Sequence, residues 1–162
     1  MGQLAGIRQG MIGAVVALWA AVAQADTHTD LTVVWVSGDR TKVHSMAALR
    51  ALDPVTLTTS TPWTDSAQRF EGVPLARLLG SPRPGDGTLR LVALNDYVVE
   101  MPLADVGDTL PIVAYSRDGQ PMSIRDKGPY WVIYPFDDSP DHRSETHFSR
   151  SVWQLVRIEV HP

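Results

Sequence analysis

The sequence predicts an α+β fold in which many β-strands accompany a few short helices. Runs rich in β-branched and aromatic residues recur along the 162 residues, separated by turns that contain Gly, Pro, Asn or Asp. Segments with helical spacing are fewer and shorter. Because strands outnumber helices, a β-rich mixed fold with several β layers is favoured over a repeated βαβ fold.

Seven segments have the composition or alternation of strands. They are residues 31–36, 55–60, 89–94, 97–101, 110–115, 130–134 and 152–160. The stretch 112–135 holds two apolar runs around an Asp118-Gly119 turn and a Gly128-Pro129 pair. We therefore predict that strands 110–115 and 130–134 are central in the fold.

Two short segments have helical features. Residues 45–52 place apolar side chains at helical spacing, and Ser45 can cap the start. Residues 74–79 begin with Pro74, which suits the first helical position, and Gly80 can end the helix.

Three further segments are assigned from composition. One helical turn is predicted at 102–106, and a loop at 81–87, which is rich in Pro and Gly. Residues 136–151 are polar and carry charges of both signs, which predicts a long loop. Loops of that length are often functional, so this one is interpreted as a lid or rim over a pocket.

The N-terminus has the three regions of a secretory signal peptide. Arg8 precedes an uncharged apolar run at 10–22, and Ala23-Gln24-Ala25 places small residues before Asp26. The run is shorter than the roughly 20 residues that a membrane-spanning helix needs. We predict a signal peptide at 1–25, a single domain at 26–162, a periplasmic or secreted location, and no membrane span after cleavage.

Charge and cysteine content exclude several classes of protein. Residues 26–162 carry 18 acidic side chains against 13 basic ones, since Arg8 is one of the 14 in the whole chain. This acidity argues against a nucleic-acid binder, which needs clustered basic residues. The sequence contains no cysteine, which excludes thiol catalysis, zinc–thiolate sites and iron–sulfur clusters.

Four blocks resemble the oxidoreductase molybdopterin-binding domain family, in order and spacing. They are FEGVPLARLLG (70–80), ALNDYVVEMPLADV (93–106), PIVAYSRDGQPMSIRDKGPYWVIYP (111–135) and VWQLVRIEV (152–160). The resemblance implies the sulfite-oxidase-type fold. For complete members it also implies a molybdenum–pterin cofactor that transfers oxygen atoms or electrons.

The sequence departs from the family at two positions that matter for the cofactor. Active members bind molybdenum through a cysteine, and alignment on Trp63 places that position near Thr59. A threonine hydroxyl is a hard donor and a far weaker acid than a thiol, so it does not replace the thiolate simply. Where the family often has an arginine after its Gly-Pro pair, this chain has Trp131, which cannot bind phosphate as a guanidinium does.

Nine residues are candidates for binding a cofactor or an anionic ligand. They are Thr59, Trp63, Asn95, Tyr97, Arg125, Lys127, Gly128, Arg143 and Arg150. The resemblance places several of them near the pterin, and the basic ones could bind phosphate. Each also has a structural interpretation: a tight turn at Asn95, a charged connection at 125–127, and surface ion pairs in the 136–151 segment.

The remaining polar side chains indicate neither a metal site nor a catalytic nucleophile. The five histidines have no metal-ligand spacing, and no nucleophile motif accompanies the serines. Most of the aromatic residues, Trp153 among them, are interpreted as core; Trp63 is the exception, because its loop is polar.

Three functions stay open at this point. The favoured hypothesis is a non-catalytic module that binds a small anionic or pterin-like ligand or contacts a periplasmic protein. The second is an oxidoreductase that holds molybdopterin with an unusual metal ligand, and the third is a structural subunit of a periplasmic complex. Without the cysteine no cofactor is expected, although molybdopterin stays possible.

Overall fold

The structure is a computed structural model that describes residues 29–80 and 86–162. The predicted signal peptide lies outside the described residues, as does most of the loop predicted at 81–87.

Ten described strands form two five-stranded sheets, which confirms the β-rich α+β class. The strands are β1 (Leu31–Trp35), β2 (Arg40–His44), β3 (Val55–Thr59), β4 (Gln68–Pro74), β5 (Thr88–Ala93), β6 (Val98–Pro102), β7 (Ile112–Arg117), β8 (Gln120–Pro121), β9 (Trp131–Ile133) and β10 (Leu155–His161). The helices are α1 (Met46–Arg50), α2 (Leu75–Leu79) and α3 (Glu145–Arg150). Single 3-10 turns lie at Val36–Gly38, Leu103–Asp105, Ile124–Asp126 and Pro140–His142.

The first sheet has the strand order β2-β1-β10-β5-β6. Strands β1 and β10 run parallel, and the other neighbours are antiparallel. Glu159 of β10 accepts hydrogen bonds from Arg90 at 2.7 Å and from Arg157 at 2.9 Å. The inner face of the sheet is apolar, with Leu31, Leu91 and Ile158 fully buried.

The second sheet is built around β7, which pairs with β4 on one side and with β8 and β9 on the other. Asp118 and Gly119 connect β7 to β8 as predicted, with φ angles of 49° and 78°. Such angles favour Asp and Gly, which explains these residues in a two-residue hairpin turn. The prediction of two strands at 110–115 and 130–134 is confirmed.

Both faces of the second sheet are buried at β7 and β9. Alternate residues of β7 and β9, such as Val113 and Val132, join the core that is shared with the first sheet. The intervening residues, such as Ile112 and Trp131, belong to a second cluster with Phe70. This arrangement explains the uninterrupted apolar composition of these two strands.

The chain passes from the second sheet to the first beside β9. The backbone amide of Val132 donates to the carbonyl of Val152 at 2.9 Å, and that of Leu155 donates to the carbonyl of Tyr130 at 3.0 Å. These bonds place Trp153 beside Trp131, with which it forms an isolated β-bridge.

The structure corrects two predictions and contains three strands that were not predicted. Residues 136–151 are not an unstructured loop: they contain a 3-10 turn and α3, whose start is capped by the Ser144 side chain accepting from the amide of His147. Pro74 ends β4 and caps α2 rather than occupying its first position. Strands β2, β4 and β8 were not predicted. Strand β2 is an edge strand with four exposed residues and little apolar pattern, part of β4 falls in the polar segment 61–69, and β8 has only two residues.

The helix start at Ser45 is confirmed, because its side chain accepts a hydrogen bond from the amide of Ala48. None of the helices in the described part of the chain has the length and apolar character needed to cross a bilayer.

Candidate functional site

A cavity of about 520 Å³ opens between the end of β5, the N-terminal end of β6, α3 and the loop after β3. Its volume falls in the range of small-molecule sites, roughly 300–1,000 Å³. We call it the aromatic cleft, after its four aromatic residues Trp63, Tyr97, Phe148 and Trp153. Its polar lining residues are Asn95, Glu145, Ser149 and Ser151.

Trp63 lies at the junction of the cleft and the core. Its ring centroid is 5.4 Å from that of Trp153 and 6.1 Å from that of Phe148, with interplanar angles of 69° and 83°. On its other side it lies 5.9 Å from the fully buried ring of Trp131. Contacts with the core therefore fix the orientation of a ring that also faces the cleft.

Two aromatic residues of the cleft are exposed to solvent. Trp153 is 37% exposed and Tyr97 is 56% exposed. The interpretation of Trp153 as a core residue is therefore wrong. Burying apolar surface of this kind under a ligand is favourable, at about 25 cal/mol per Å².

The charge of the lining is acidic. Among the described residues that line the cleft, Glu145 at the start of α3 is the charged one, and no Lys, Arg or His lines it. Asn95 accepts a hydrogen bond from the backbone amide of Tyr97 at 3.3 Å, which confirms the turn interpretation of this residue. The cleft is therefore better suited to a neutral or cationic ligand than to an anion.

Lys127 lies beside the cleft without lining it. Its amino group is 4.2 Å from the ring centroid of Trp153 and 5.4 Å from that of Trp131. Burial and the nearby Arg117 lower the pKa of Lys127. The residue binds two indole faces of its own chain.

Thr59 is fully buried, and its hydroxyl is already engaged. The hydroxyl oxygen accepts from the backbone amide of Asp137 at 3.2 Å and donates to the carbonyl of Ser60 at 3.2 Å. The residue does not line the aromatic cleft.

The carboxylate of Asp137 binds the segment after Thr59. It accepts from the amide and the hydroxyl of Ser60 at 2.5 and 2.6 Å, and it pairs with Arg143. The hydrogen bonds from Ser60, and then the pairing with Arg143, lower the pKa of Asp137 to about 2. Arg143 also donates to the carbonyl of Phe136 at 3.0 Å, so its guanidinium is bound within the chain.

Arg150 is bound in the same way. It pairs with Asp105 at 2.8 Å and lies beside the hydroxyl of Tyr134. Burial raises the pKa of Tyr134 to about 12. Neither Arg143 nor Arg150 lines the cleft.

The other two candidates near the Gly-Pro pair lie outside the cleft. Arg125 is exposed on the 3-10 turn before Lys127. Gly128 is buried, and a Cβ atom at this position would lie 1.9 Å from the carbonyl oxygen of Met122. The close approach that this glycine permits is to the backbone of its own chain.

The described side chains do not fit a molybdenum–pterin cofactor. The position expected for the metal ligand is a buried threonine whose hydroxyl is already hydrogen-bonded. Of the basic candidates for binding its phosphate, Arg143 and Arg150 are paired with Asp137 and Asp105, and Lys127 and Arg125 lie outside the cleft. Trp131 is part of the core, donating through Nε1 to the carbonyl of Ser151 at 3.1 Å.

Sequence reasoning predicted three of the cleft residues and missed the others. Trp63, Asn95 and Tyr97 line the cleft, whereas the other six candidates do not. Glu145 was expected only as part of the 136–151 rim, and Phe148 and Trp153 were missed as site residues because they lie far from Trp63 in sequence. Ser144 before Glu145 is a helix-capping pattern that could have indicated α3.

Across residues 29–80 and 86–162, no group of three or more His, Asp or Glu side chains is placed to hold a metal ion. Comparison of the chain with protein-family models and with curated proteins finds no match.

Proposed function

We propose that the chain is a non-catalytic binding module that acts after export and holds a small molecule in the aromatic cleft. The observation that carries this proposal is the cleft itself: four aromatic side chains around about 520 Å³, two of them exposed to solvent. Monomeric proteins seldom leave such aromatic surface open unless it binds something.

The environment of Thr59 supports a binding function over a catalytic one. A group that binds a metal or attacks a substrate needs a free lone pair and access, and Thr59 is fully buried and hydrogen-bonded on both sides. The family resemblance is retained here as a proposal about origin: a domain of the sulfite-oxidase type in which the metal position has been closed by Asp137.

Binding of a neutral dye tests the proposal directly. N-phenylnaphthylamine gains fluorescence in apolar sites, and we expect saturable binding of one dye per chain. Trp63→Ala and Trp153→Ala should abolish that binding. Trp35→Ala is the matched control, because Trp35 pairs with Val160 at the far end of β10 from the cleft. Equal dye binding by all four proteins would contradict the proposal.

The alternative function is an oxidoreductase that holds molybdopterin through an unusual ligand. Metal analysis of protein exported from a host that makes the cofactor distinguishes the two. We expect no stoichiometric molybdenum. Near one molybdenum per chain would overturn the binding-module proposal.

A protein partner is a second candidate occupant of this surface. Leu94 and Ile124 are 45% and 47% exposed, and both contact Gln154, next to Trp153. A photo-crosslinking residue at Leu94 should then capture a defined partner in the exporting host. Val43, 57% exposed on the edge strand β2, is the matched position that should not.

Export itself is tested by fractionation and N-terminal sequencing. The proposal predicts a mature chain that begins at Asp26 in the exported fraction. A full-length chain retained in the cytoplasm would contradict it.

A further inference from the structure

We infer that the aromatic cleft selects a small organic cation with an alkylated ammonium group. This inference rests on the proposed binding function and names the chemical class of its ligand. Two observations lead to it, the angles between the rings and the charge of the lining, and the contact that Lys127 makes supplies a test.

The ring angles favour a rounded group over a flat one. Trp63 meets Trp153 at 69° and Phe148 at 83°, so neither of these pairs is a parallel slot that could sandwich a planar ring. Near-perpendicular aromatic walls instead form a corner. A trimethylammonium group, which is tetrahedral, contacts several such walls at once.

The charge of the lining favours a cation. Glu145 supplies a carboxylate, Asn95 supplies an amide, and no basic residue lines the cleft in the described part of the chain. An aromatic face attracts a cation through its quadrupole, and a nearby carboxylate adds to that attraction.

The chain already places an ammonium group on one of these rings. The amino group of Lys127 lies 4.2 Å from the ring centroid of Trp153. In this contact the Trp153 ring already binds an ammonium group of its own chain. It also places a positive charge where it would repel a cationic ligand. Removal of that charge should therefore strengthen the binding of a cation.

The probes are choline and its neutral isostere, in which a tert-butyl group replaces the trimethylammonium group. The two have nearly the same shape and differ in charge. The difference between their affinities, measured by calorimetric titration, therefore reports the contribution of the charge to binding. We expect choline to bind about threefold or more tightly than the isostere, a ratio within the range of cation–π contacts.

Two variants locate the effect. Glu145→Gln should weaken choline binding several-fold and leave the isostere unchanged, because only the charge is removed. Glu100→Gln, on the exposed strand β6 and outside the lining, is the matched control. Lys127→Met removes the repelling charge and should strengthen choline binding. Thermal unfolding checks that each variant is folded.

The outcomes separate this inference from the function on which it rests. Equal binding of choline and the isostere overturns the cation inference but leaves the cleft as a binding site. Dye binding without binding of either probe has the same meaning. No binding of dye, choline or isostere overturns both. An unchanged choline affinity in Lys127→Met contradicts the placement of the ammonium group at Trp153.

Discussion

The carboxylate of Asp137 accepts hydrogen bonds from both the amide and the hydroxyl of Ser60, at 2.5 and 2.6 Å. The two residues are 77 positions apart in sequence, and their contact joins the segment after β3 to the segment after β9. Together with the hydrogen bond from the amide of Asp137 to the Thr59 hydroxyl, this contact fixes Ser60 and the fully buried Thr59, neither of which lines the aromatic cleft.

The Asp137 contacts predict a pH dependence of stability. Hydrogen bonds from Ser60 lower the pKa of Asp137 to about 2, below its ordinary value of 3.8. A lowered carboxyl pKa stabilises the fold above the ordinary value, and this contribution is lost as the pH falls through the folded pKa. Asp137→Asn should therefore unfold at a lower temperature than the natural chain at neutral pH, and the difference should disappear towards pH 2.

The control for that experiment is Asp138→Asn, an exposed neighbour. It should unfold like the natural chain at every pH. A stability difference for Asp137→Asn that is the same at neutral and at acid pH would show that the carboxylate charge is not what matters.

The buried His44 predicts a second pH dependence. Burial, and then the charge of Lys42, lower the pKa of His44 below 6.5, and its Nε2 atom has no hydrogen-bond partner in the described chain. Well above pH 6.5, His44 is neutral in both the folded and the unfolded state, so it does not change the free energy of unfolding with pH. As the pH falls below 6.5, the unfolded state binds a proton that the folded state does not, so stability decreases.

The measurement is the free energy of unfolding between about pH 8 and pH 5, where histidine titrates. His44→Leu removes the titrating group, so its stability should decrease less over this range. His161→Gln, at the end of β10, is the comparison that keeps His44 intact. An identical slope in His44→Leu would contradict the interpretation.

Gly128 predicts a large steric effect. A Cβ atom there would lie 1.9 Å from the carbonyl oxygen of Met122, which is backbone and cannot rotate away. Gly128→Ala should destabilise the fold by about 1–3 kcal/mol or more, the range of overpacked cores. Gly38→Ala is the matched control, since no atom lies within 4 Å of its Cβ position. Urea denaturation measures the free energy of unfolding of both variants. Equal values would show that the backbone near Gly128 shifts to accommodate the added methyl group.

Replacing Trp131 or Trp153 by alanine should have different consequences, the first mainly for stability and the second mainly for dye binding. Trp131 is fully buried, so Trp131→Ala should cost about 3–5 kcal/mol of stability. Trp153 is 37% exposed, so Trp153→Ala should cost much less and yet lose dye binding. Equal destabilisation by the two variants would mean that Trp153 serves the core rather than the cleft.

Local patterns predicted most of the strands. The alternation in β3, the apolar runs of β7 and β9, and the Asp118-Gly119 turn follow from short-range chemistry that the sequence displays directly. Strands β2 and β4 were missed because they form through pairing with their neighbours, β2 with β1 and β4 with β3 and β7, which no local pattern reveals. Helix α3, with six residues, is too short to show a helical period.

The candidate site was harder to predict because it is assembled from distant segments. Trp63, Tyr97 and the pair Phe148 and Trp153 come from three separate parts of the chain, and the fold brings them together. The opposite error arose at Arg143 and Arg150. Their charges suggested an anion site, but Arg143 pairs with Asp137, six residues away, and Arg150 pairs with Asp105, 45 residues away.

The most direct test of the binding site is nuclear magnetic resonance of the indole N–H groups during titration with N-phenylnaphthylamine. We expect saturable shifts for the indole resonances of Trp63 and Trp153 and none for Trp35, which lies at the opposite end of the first sheet. Shifts confined to Trp35, or no saturable shift at Trp63 and Trp153, would contradict the assignment of the aromatic cleft as the binding site.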